Sequence, residues 1–328
     1  MLRTVQTSLI KTGLMTAALL AAAAASAQSD YPDRPTVIVL AIGAGSGTDL
    51  GLRLYADRLG KRMGQSFVVE NKPGASTILG TEYGMRQAPN GYNLTSLFTT
   101  STIVPSTHKV VPFDPIRDFM PIAKMAGSEY GFAVTPSLPA KNMQELIALA
   151  KASPGKLTFA SPGHGTPHHL GMELLKLRSG VDILHVPHKS ISDALSGVQG
   201  GHTQMILSVA AGLAPIALGG RMRMIGVTGT NGLPALPQVQ TMQSQGIGYL
   251  EVVRGWFGLA APLKTPQHVI TRLNSEINAI AKSPDFIAEL AKTGQVPTGG
   301  TPEDMTTLMK NEVETWAKVV NDAKVTKQ

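Results

Sequence analysis

The feature that most constrains the fold is an apolar run that ends in a loop of small residues and continues into a helix. Residues 37–42 are all apolar, which is typical of a buried strand. Gly43, Gly45 and Gly47 follow, and glycine tolerates the positive φ angles and close backbone contacts of a tight turn. Apolar residues then recur near helical spacing from Leu50 to Met63. A strand, a tight loop and a helix start in this order predict an α/β fold.

The start of this helix has the features of an anion-binding site. Ser46, Gly47, Thr48 and Asp49 stand where the first backbone amides have no intrahelical acceptor and the helix macrodipole is positive. Such a position suits a carboxylate or a phosphate. The same residues could equally serve as a helix cap and nothing more. We expect Asp49 to brace the loop, since a carboxylate beside a bound anion must be neutralised or face away.

The first 27 residues have the pattern of an export signal. Arg3 and Lys11 are the positive charges, residues 14–25 form an apolar core, and Ala25-Ser26-Ala27 is a small-residue cleavage site. The apolar core is too short for a membrane anchor. Cleavage after Ala27 would leave roughly 300 residues, which favours two domains.

Composition narrows the class of protein further. The 328-residue chain has a formal net charge of +7 and no cysteine. Disulfides and cysteine-bound zinc are therefore excluded, and export without disulfides indicates the periplasm of a bacterium. No block of lysine and arginine is present, so we expect no nucleic-acid partner.

Strands and helices alternate along the rest of the chain, which predicts mostly parallel sheets. A hydroxyl cluster of Thr99, Thr100 and Ser101 follows a predicted strand, at the end where open α/β sheets bind ligands. The opening pattern then recurs: a strand at 157–161, a glycine loop, and a helix predicted at 169–178 with Thr166 as N-cap and Pro167 at its first position. A second helix start suited to an anion is thus expected.

Several short segments occur together in an order that resembles one family over nearly the whole mature chain. They are Tyr31-Pro-Asp-Arg-Pro35, Gly45-Ser-Gly-Thr-Asp49, Val69-Glu-Asn-Lys-Pro-Gly-Ala75, Ala88-Pro-Asn-Gly-Tyr92, Pro154-Gly-Lys-Leu157, Ala160-Ser-Pro-Gly-His-Gly-Thr166, His185-Val-Pro-His-Lys189 and Trp256-Phe-Gly-Leu259. The family is that of the Bordetella uptake gene (Bug) proteins, the periplasmic solute receptors of tripartite tricarboxylate transporters. Each segment is weak by itself, but their order and spacing are specific.

The resemblance implies a non-catalytic, two-domain periplasmic binding protein of type II, monomeric and without cofactor or metal. It would close on a carboxylate and deliver it to a membrane permease. One domain would comprise residues 28–129 and 256–328, and the other residues 130–255. The helices predicted after Thr265-Pro266, Ser283-Pro284 and Thr301-Pro302 would complete the first domain.

The second loop supplies the other half of the site implied by the resemblance. Ser161, Gly163, Gly165 and Thr166 match the family's second ligand loop, His164 is a candidate ligand residue, and His169 is expected to act behind the loop. His164 and His168 are four residues apart, a spacing found in zinc sites. No third ligand at helical spacing except Glu173 completes a site, so we expect no zinc.

Three departures from the family pattern bear on the ligand. Ser208 stands where members often have an acid, His188 where they often have tyrosine, and Arg254 adds a cation near Trp256. These changes favour a more anionic ligand, because an unmatched charge in a closed cleft is costly. With Ile42, Ile206, Trp256 and Phe257 as apolar candidates, we predict a dicarboxylate, and an aromatic one such as a benzene dicarboxylate. Arg254 could also be an ordinary surface residue.

Other functions compete with this one. Gly43 and Gly45 in a strand-to-helix turn, with Glu70 ending the next strand, imitate a nicotinamide-binding fingerprint, but Thr48 occupies the place of the third glycine. A serine hydrolase would need a glycine where Ala44 stands. A sensor that signals to a membrane kinase would use the same closing motion and is a further alternative.

Overall fold

Two β-sheets, each covered by helices, form the two halves of the molecule in a computed structural model that describes residues 31–229 and 232–328. The strands, in chain order, are β1 (Thr36–Leu40), β2 (Phe67–Asn71), β3 (Asn93–Phe98), β4 (Phe119–Ser128), β5 (Tyr130–Val134), β6 (Leu157–Ser161), β7 (Ile183–Pro187), β8 (Met205–Val209), β9 (Arg223–Val227), β10 (Gly255–Pro262) and β11 (Val296–Pro297). The export signal expected at residues 1–27 lies outside the described residues.

Helices follow most of the strands. They are α1 (Gly47–Met63), α2 (Ile78–Met85), α3 (Thr99–Thr107), α4 (Met143–Ala152), α5 (Pro167–Ser179), α6 (Ile191–Gln199), α7 (Ala210–Leu218), α8 (Gln267–Ala281), α9 (Pro284–Ala291) and α10 (Pro302–Asp322). Across the described part of the chain, none of these helices combines the length and the apolar character needed to cross a bilayer.

The first sheet has the strand order β11-β4-β10-β3-β1-β2 and the second has β7-β6-β8-β5-β9. We call the two halves the first lobe and the second lobe. The chain passes from the first sheet to the second between β4 and β5, and it returns before β10. This arrangement confirms the predicted two-sheet α/β fold.

The expectation of mostly parallel sheets was wrong, because both sheets are mixed. β1 pairs in parallel with β2 and β3, but β10 runs antiparallel to β3 and β4. In the second sheet β6 is parallel to β7 and β8, whereas β5 is antiparallel to β8 and β9. Two of the reversed strands, β5 and β10, arrive from the other lobe, and the two-residue β11 is also antiparallel to β4. Strands β5 and β10 each begin beside the C-terminal ends of the neighbouring strands, so they run antiparallel to those strands.

One helix spans the two lobes. Met305 and Met309, near the start of α10, pack with Leu97 and Trp256 of the first sheet. Trp316 and Val320, two turns later, are buried in the core of the second lobe. The tail of the chain thus contributes to both lobes. The resemblance assigned its helices to the first domain alone, but α10 also packs in the core of the second lobe.

Local signals place the ends of several helices where the sequence indicated. Ser46 caps α1 by accepting from the amide of Asp49, and Thr166 caps α5, with Pro167 as its first residue. The hydroxyl cluster after β3 was predicted only as the end of a strand. It forms the first turn of α3 instead, and Pro105 lies within that helix.

Candidate functional site

The first loop is held by a carboxylate beneath it. Asp49 is 2% exposed, and its side chain accepts hydrogen bonds from the Gly45 amide at 2.9 Å and from Nδ2 of Asn71 at 2.9 Å. Arg53 donates to it from the next turn of α1 at 3.1 Å. Burial by itself would raise the pKa of Asp49, but the bonds from Arg53, Gly45 and Asn71 outweigh burial and hold that pKa below its ordinary value. Asp49 therefore fixes the loop from below.

We expect Asp49→Asn to lower the free energy of unfolding by about 2 kcal/mol, because Gly45, Asn71 and Arg53 lose their buried, charged acceptor. Carboxylate binding should weaken with it, since Ser46 and Gly47 would no longer be held in place. Urea denaturation and calorimetric titration measure the two effects. The matched control is Asp57→Asn on the exposed face of α1, where the pair with Lys61 is solvated and the expected change is below about 1 kcal/mol. Equal effects of the two variants would contradict a bracing role for Asp49.

The hydroxyl cluster forms a second polar wall in the first lobe. Oγ1 of Thr99 accepts from the Trp256 amide at 3.1 Å and donates to the Arg254 carbonyl at 3.2 Å. Thr99 and Thr100 line the space between the lobes, whereas Ser101 is fully buried and its Oγ accepts from the Phe98 amide. The start of α3 is thereby fastened to β10.

The hydroxyl groups of the second loop already have hydrogen-bond partners, in the loop itself and on the neighbouring strand β7. Oγ of Ser161 accepts from the Gly163 amide and lies 2.7 Å from Nε2 of His185. Oγ1 of Thr166 donates to the Gly163 carbonyl at 2.9 Å and accepts from the His169 amide at 3.3 Å. Gly165 has a φ of 71°, and a Cβ there would lie 3.1 Å from Thr107. Ser161, Gly163, His164, Gly165 and Thr166 shape the loop and do not line the space between the lobes.

Three histidines gather behind this loop. The rings of His169 and His185 stack with centroids 4.2 Å apart, and His164 meets the His185 ring edge-on at 4.7 Å. Burial, reinforced by the neighbouring positive groups, lowers the pKa of His169 to about 3 and that of His185 to about 4. Both rings are therefore neutral near pH 7.

The cluster has the composition of a metal site, with one donor nitrogen from each ring lying within 4.8 Å of the others. The hydrogen bonds work against that use. The Gly165 amide donates to Nδ1 of His169 at 3.1 Å, so the ring carries its proton on Nε2 and has no free lone pair in this geometry. The absence of a metal remains a prediction.

A cavity of about 440 Å³ lies between the lobes. Its lining from the first lobe is Ile42, Ser46, Gly47, Thr48, Phe98, Thr99, Thr100, Ala126, Gly127, Ser128, Gly255, Trp256, Phe257, Thr293 and Gln295. From the second lobe it is Tyr130, Pro167, His168, Ile191, Leu195, Ser208, Val209 and Gly212. A ligand in this cavity would contact both lobes.

The cavity has an unusual electrostatic character for an anion site. None of the residues that line it, all of them within the described part of the chain, is Lys, Arg, Asp or Glu. The first turns of α1, α3, α5, α6 and α7 all reach it, each with the positive end of a helix dipole. An anion here would be held by amides, hydroxyls and dipoles without a formal countercharge.

The remaining candidate residues are placed differently. Ser208 lines the cavity and is 4% exposed. Arg254 does not line the cavity: its side chain pairs with Glu251, and its Nε lies 3.4 Å from Glu129. Ile206 is buried in the core of the second lobe, while Ile42, Trp256 and Phe257 line the cavity.

Sequence reasoning missed several residues that line the cavity, among them Tyr130, His168, Ile191 and Gln295. His168 stands next to Pro167 at a recognised helix start, so its position could have been inferred. The position of Gln295 could not have been inferred, because this residue belongs to the tail and reaches the cavity by packing on Gly51. A Cβ at Gly51 would lie 2.0 Å from Oε1 of Gln295.

A larger hollow of about 560 Å³ lies at the outer edge of the second sheet. Its lining includes Lys141 and Arg223, and the Arg223 guanidinium donates to the carbonyls of Pro136, Leu138 and Ala140. It is lined from the second lobe alone, so closure of the two lobes could not enclose a ligand there.

Comparison with known proteins agrees with this geometry. The family model described as "Tripartite tricarboxylate transporter family receptor" matches residues 52–325. The chain belongs to this family. Its relatives include the UPF0065 protein in the gbd 5′ region of Cupriavidus necator, which is 37% identical over 284 residues, 86% of each chain. The predicted membership of the Bug group of receptors is confirmed.

Two solved structures resemble the chain over most of its length. The structure of R. palustris Rpa4515 with adipate has a TM-score of 0.81 and 29% identity, and it covers 91% of this chain and 100% of that chain. The periplasmic binding protein BugD has a TM-score of 0.77 and 28% identity with the same coverage. The receptor is thus a periplasmic solute-binding protein and not an enzyme, so the nicotinamide and hydrolase alternatives were wrong.

Proposed function

We propose that this receptor captures a small dicarboxylate between its lobes and delivers it to the permease of a tripartite tricarboxylate transporter. The observation that carries the proposal is the cavity, which has no formally charged lining and receives the first turns of five helices from both lobes. Donors and dipoles on opposite walls suit a ligand with an anionic group at each end. The adipate in Rpa4515 supports this ligand class.

The middle of the ligand should be apolar. Ile42, Phe98 and Trp256 from the first lobe face Ile191 and Leu195 from the second, and these side chains offer no hydrogen bonds along the cavity wall except through the Trp256 indole. That indole is already bonded to Glu312. A chain of methylenes or a benzene ring would bury well there, whereas the central hydroxyl and carboxylate of citrate would lose water without compensation.

We take residues 28–129 with 256–328, and residues 130–255, as two domains that close on the ligand, with the second half of α10 packed in the core of the second lobe. Binding then shifts the open and closed populations according to the difference in affinity for the two states. The proposed receptor acts as a monomer and presents its closed form to the permease.

Calorimetric titration with matched acids tests the proposal. The pairs are adipate with hexanoate, and benzene-1,4-dicarboxylate with benzoate, and citrate is the polar comparison. We expect one dicarboxylate to bind at least ten times more tightly than its monocarboxylate, and citrate to bind more weakly than that dicarboxylate. Whether adipate or benzene-1,4-dicarboxylate binds more tightly decides between an aliphatic and an aromatic ligand. Tighter binding of both monocarboxylates, or of citrate, would contradict the proposal.

A further inference from the structure

His168 is the cavity residue whose ring nitrogen the fold leaves without a partner. Its Nδ1 is buried and makes no hydrogen bond, and among the described residues that line the cavity no other side chain has a buried polar atom in this state. The ring lies against Tyr130 of β5, with centroids 5.3 Å apart and planes tilted by 56°. Burial lowers the pKa of His168 to about 4, so the imidazole is neutral near pH 7.

The missing partner indicates which nitrogen carries the proton. A neutral imidazole has one N–H and one lone pair. A buried N–H without an acceptor is rarer in proteins than an acceptor without a donor, so the lone pair belongs on Nδ1 and the proton on Nε2. Because the ring lines the cavity while Nδ1 is buried, the opposite edge, which carries Nε2, is the edge that faces the ligand.

Starting from the proposed function, we propose that Nε2–H of His168 donates to the distal carboxylate of the bound dicarboxylate and sets the preference for two carboxylates over one. The first carboxylate then lies at the starts of α1 and α3, where Gly47, Thr48 and Thr99 line the cavity. His168 is on α5, in the other lobe. A dicarboxylate, with an acceptor at each end, can bond at both places, and a monocarboxylate bound at the first has no second carboxylate for His168.

The neighbourhood of His168 supports a carboxylate as the acceptor. Tyr130 and Ser208 line the cavity in the same lobe, and neither brings a formal charge at neutral pH. A neutral N–H donor can bind an anion there without the cost of burying a fixed cation. A hydrogen bond to a charged acceptor is also stronger than one to a neutral hydroxyl.

Two variants and the matched acids test the assignment by calorimetry. His168→Phe keeps the aromatic volume against Tyr130 and removes the N–H, while His168→Gln supplies an amide donor. We expect His168→Phe to weaken binding of the preferred dicarboxylate, adipate or benzene-1,4-dicarboxylate, at least tenfold. Its affinity for hexanoate or benzoate should stay within about threefold of wild type, which also shows that the variant folds. His168→Gln should recover part of the preference.

The outcomes separate this assignment from the function on which it rests. If wild type shows no preference for a dicarboxylate, the proposed function is wrong and the role of His168 is wrong with it. If wild type prefers the dicarboxylate and His168→Phe keeps that preference, the assignment alone is overturned. Equal losses for both members of an acid pair would likewise overturn it, because they would mark His168 as a packing residue.

Discussion

Replacing Glu312 with Gln is expected to raise the free energy of unfolding above pH 7 by about 3 kcal/mol. Glu312 is 6% exposed and lies on α10, behind the wall of the cavity. Its carboxyl accepts from the Trp256 indole at 2.8 Å and lies 2.7 Å from Oγ1 of Thr102. Burial raises its pKa from 4.5 to about 7, against the hydrogen bonds from Trp256 and Thr102 and the attraction of Lys124.

The hydrogen bonds explain why the protonated acid fits best. The Thr102 hydroxyl has one proton, and it lies 2.7 Å from the Thr99 carbonyl as well as 2.7 Å from Glu312. If Glu312 is protonated, its O–H donates to Thr102, Thr102 donates to Thr99, and Trp256 donates to the other carboxyl oxygen. Every group is then satisfied. A Gln side chain can make the same bonds without a charge.

The sign of the pH dependence follows from the raised pKa. The folded protein binds this proton more tightly than the unfolded chain, so wild type loses stability as the pH rises from 4.5 to about 7. Glu312→Gln does not titrate there, and its advantage over wild type should grow across this window and then level off. Urea denaturation at several pH values measures the difference. Glu314→Gln, exposed on the same helix, is the control, and a difference that is constant with pH would contradict the expectation.

Acidification is expected to destabilise the protein through the histidines of the second lobe. This pH dependence has the opposite sign to that of Glu312. The folded pKa values of His168, His169 and His185, about 4, about 3 and about 4, lie below the ordinary value of 6.5, so the unfolded chain binds protons that the folded protein excludes. Stability is therefore retained above pH 6.5 and lost as the pH falls. The buried His168 and His169 should each cost about 2 kcal/mol between pH 8 and pH 5, and the partly exposed His185 should cost about 1 kcal/mol.

This loss is measured best in the Glu312→Gln protein, because protonation of Glu312 offsets part of it in wild type. We expect the free energy of unfolding of that variant to fall by about 5 kcal/mol between pH 8 and pH 5, with the partly exposed His185 contributing less than the other two histidines. Adding His168→Phe should reduce the fall to about 3 kcal/mol, whereas adding His202→Gln in the exposed turn after α6 should leave it unchanged. A fall that ignores His168→Phe would contradict the histidine explanation.

The network around Glu312 also bears on ligand binding. It fastens Trp256 and, through Thr102, the first turn of α3, and Trp256 and Thr99 both line the cavity. Further along α10, Trp316 is buried in the second lobe. One helix therefore contacts the cavity wall of the first lobe and the core of the second.

The sequence by itself determined the local parts of the site. The caps by Ser46 and Thr166, the proline after Thr166 and the glycine loops before both helices depend on neighbouring residues only. Such signals can be read along the chain, because a cap bonds to an amide two or three residues away. The family, the two-sheet fold and the absence of catalysis could be inferred in the same way, from segments in a fixed order.

Only the tertiary structure decided which residues line the cavity between the lobes. Arg254 was expected as a cation for the ligand, yet Glu251 and Glu129 lie against it, and Glu129 is distant from it in sequence. Gln295 reaches the cavity because Gly51 lets the tail approach α1. The second loop is polar in sequence, but its hydroxyls bond within the loop and to His185 of β7, and His168 lines the cavity instead. Burial and charge pairing join residues that are far apart along the chain, so no local pattern predicts which polar groups remain free for a ligand.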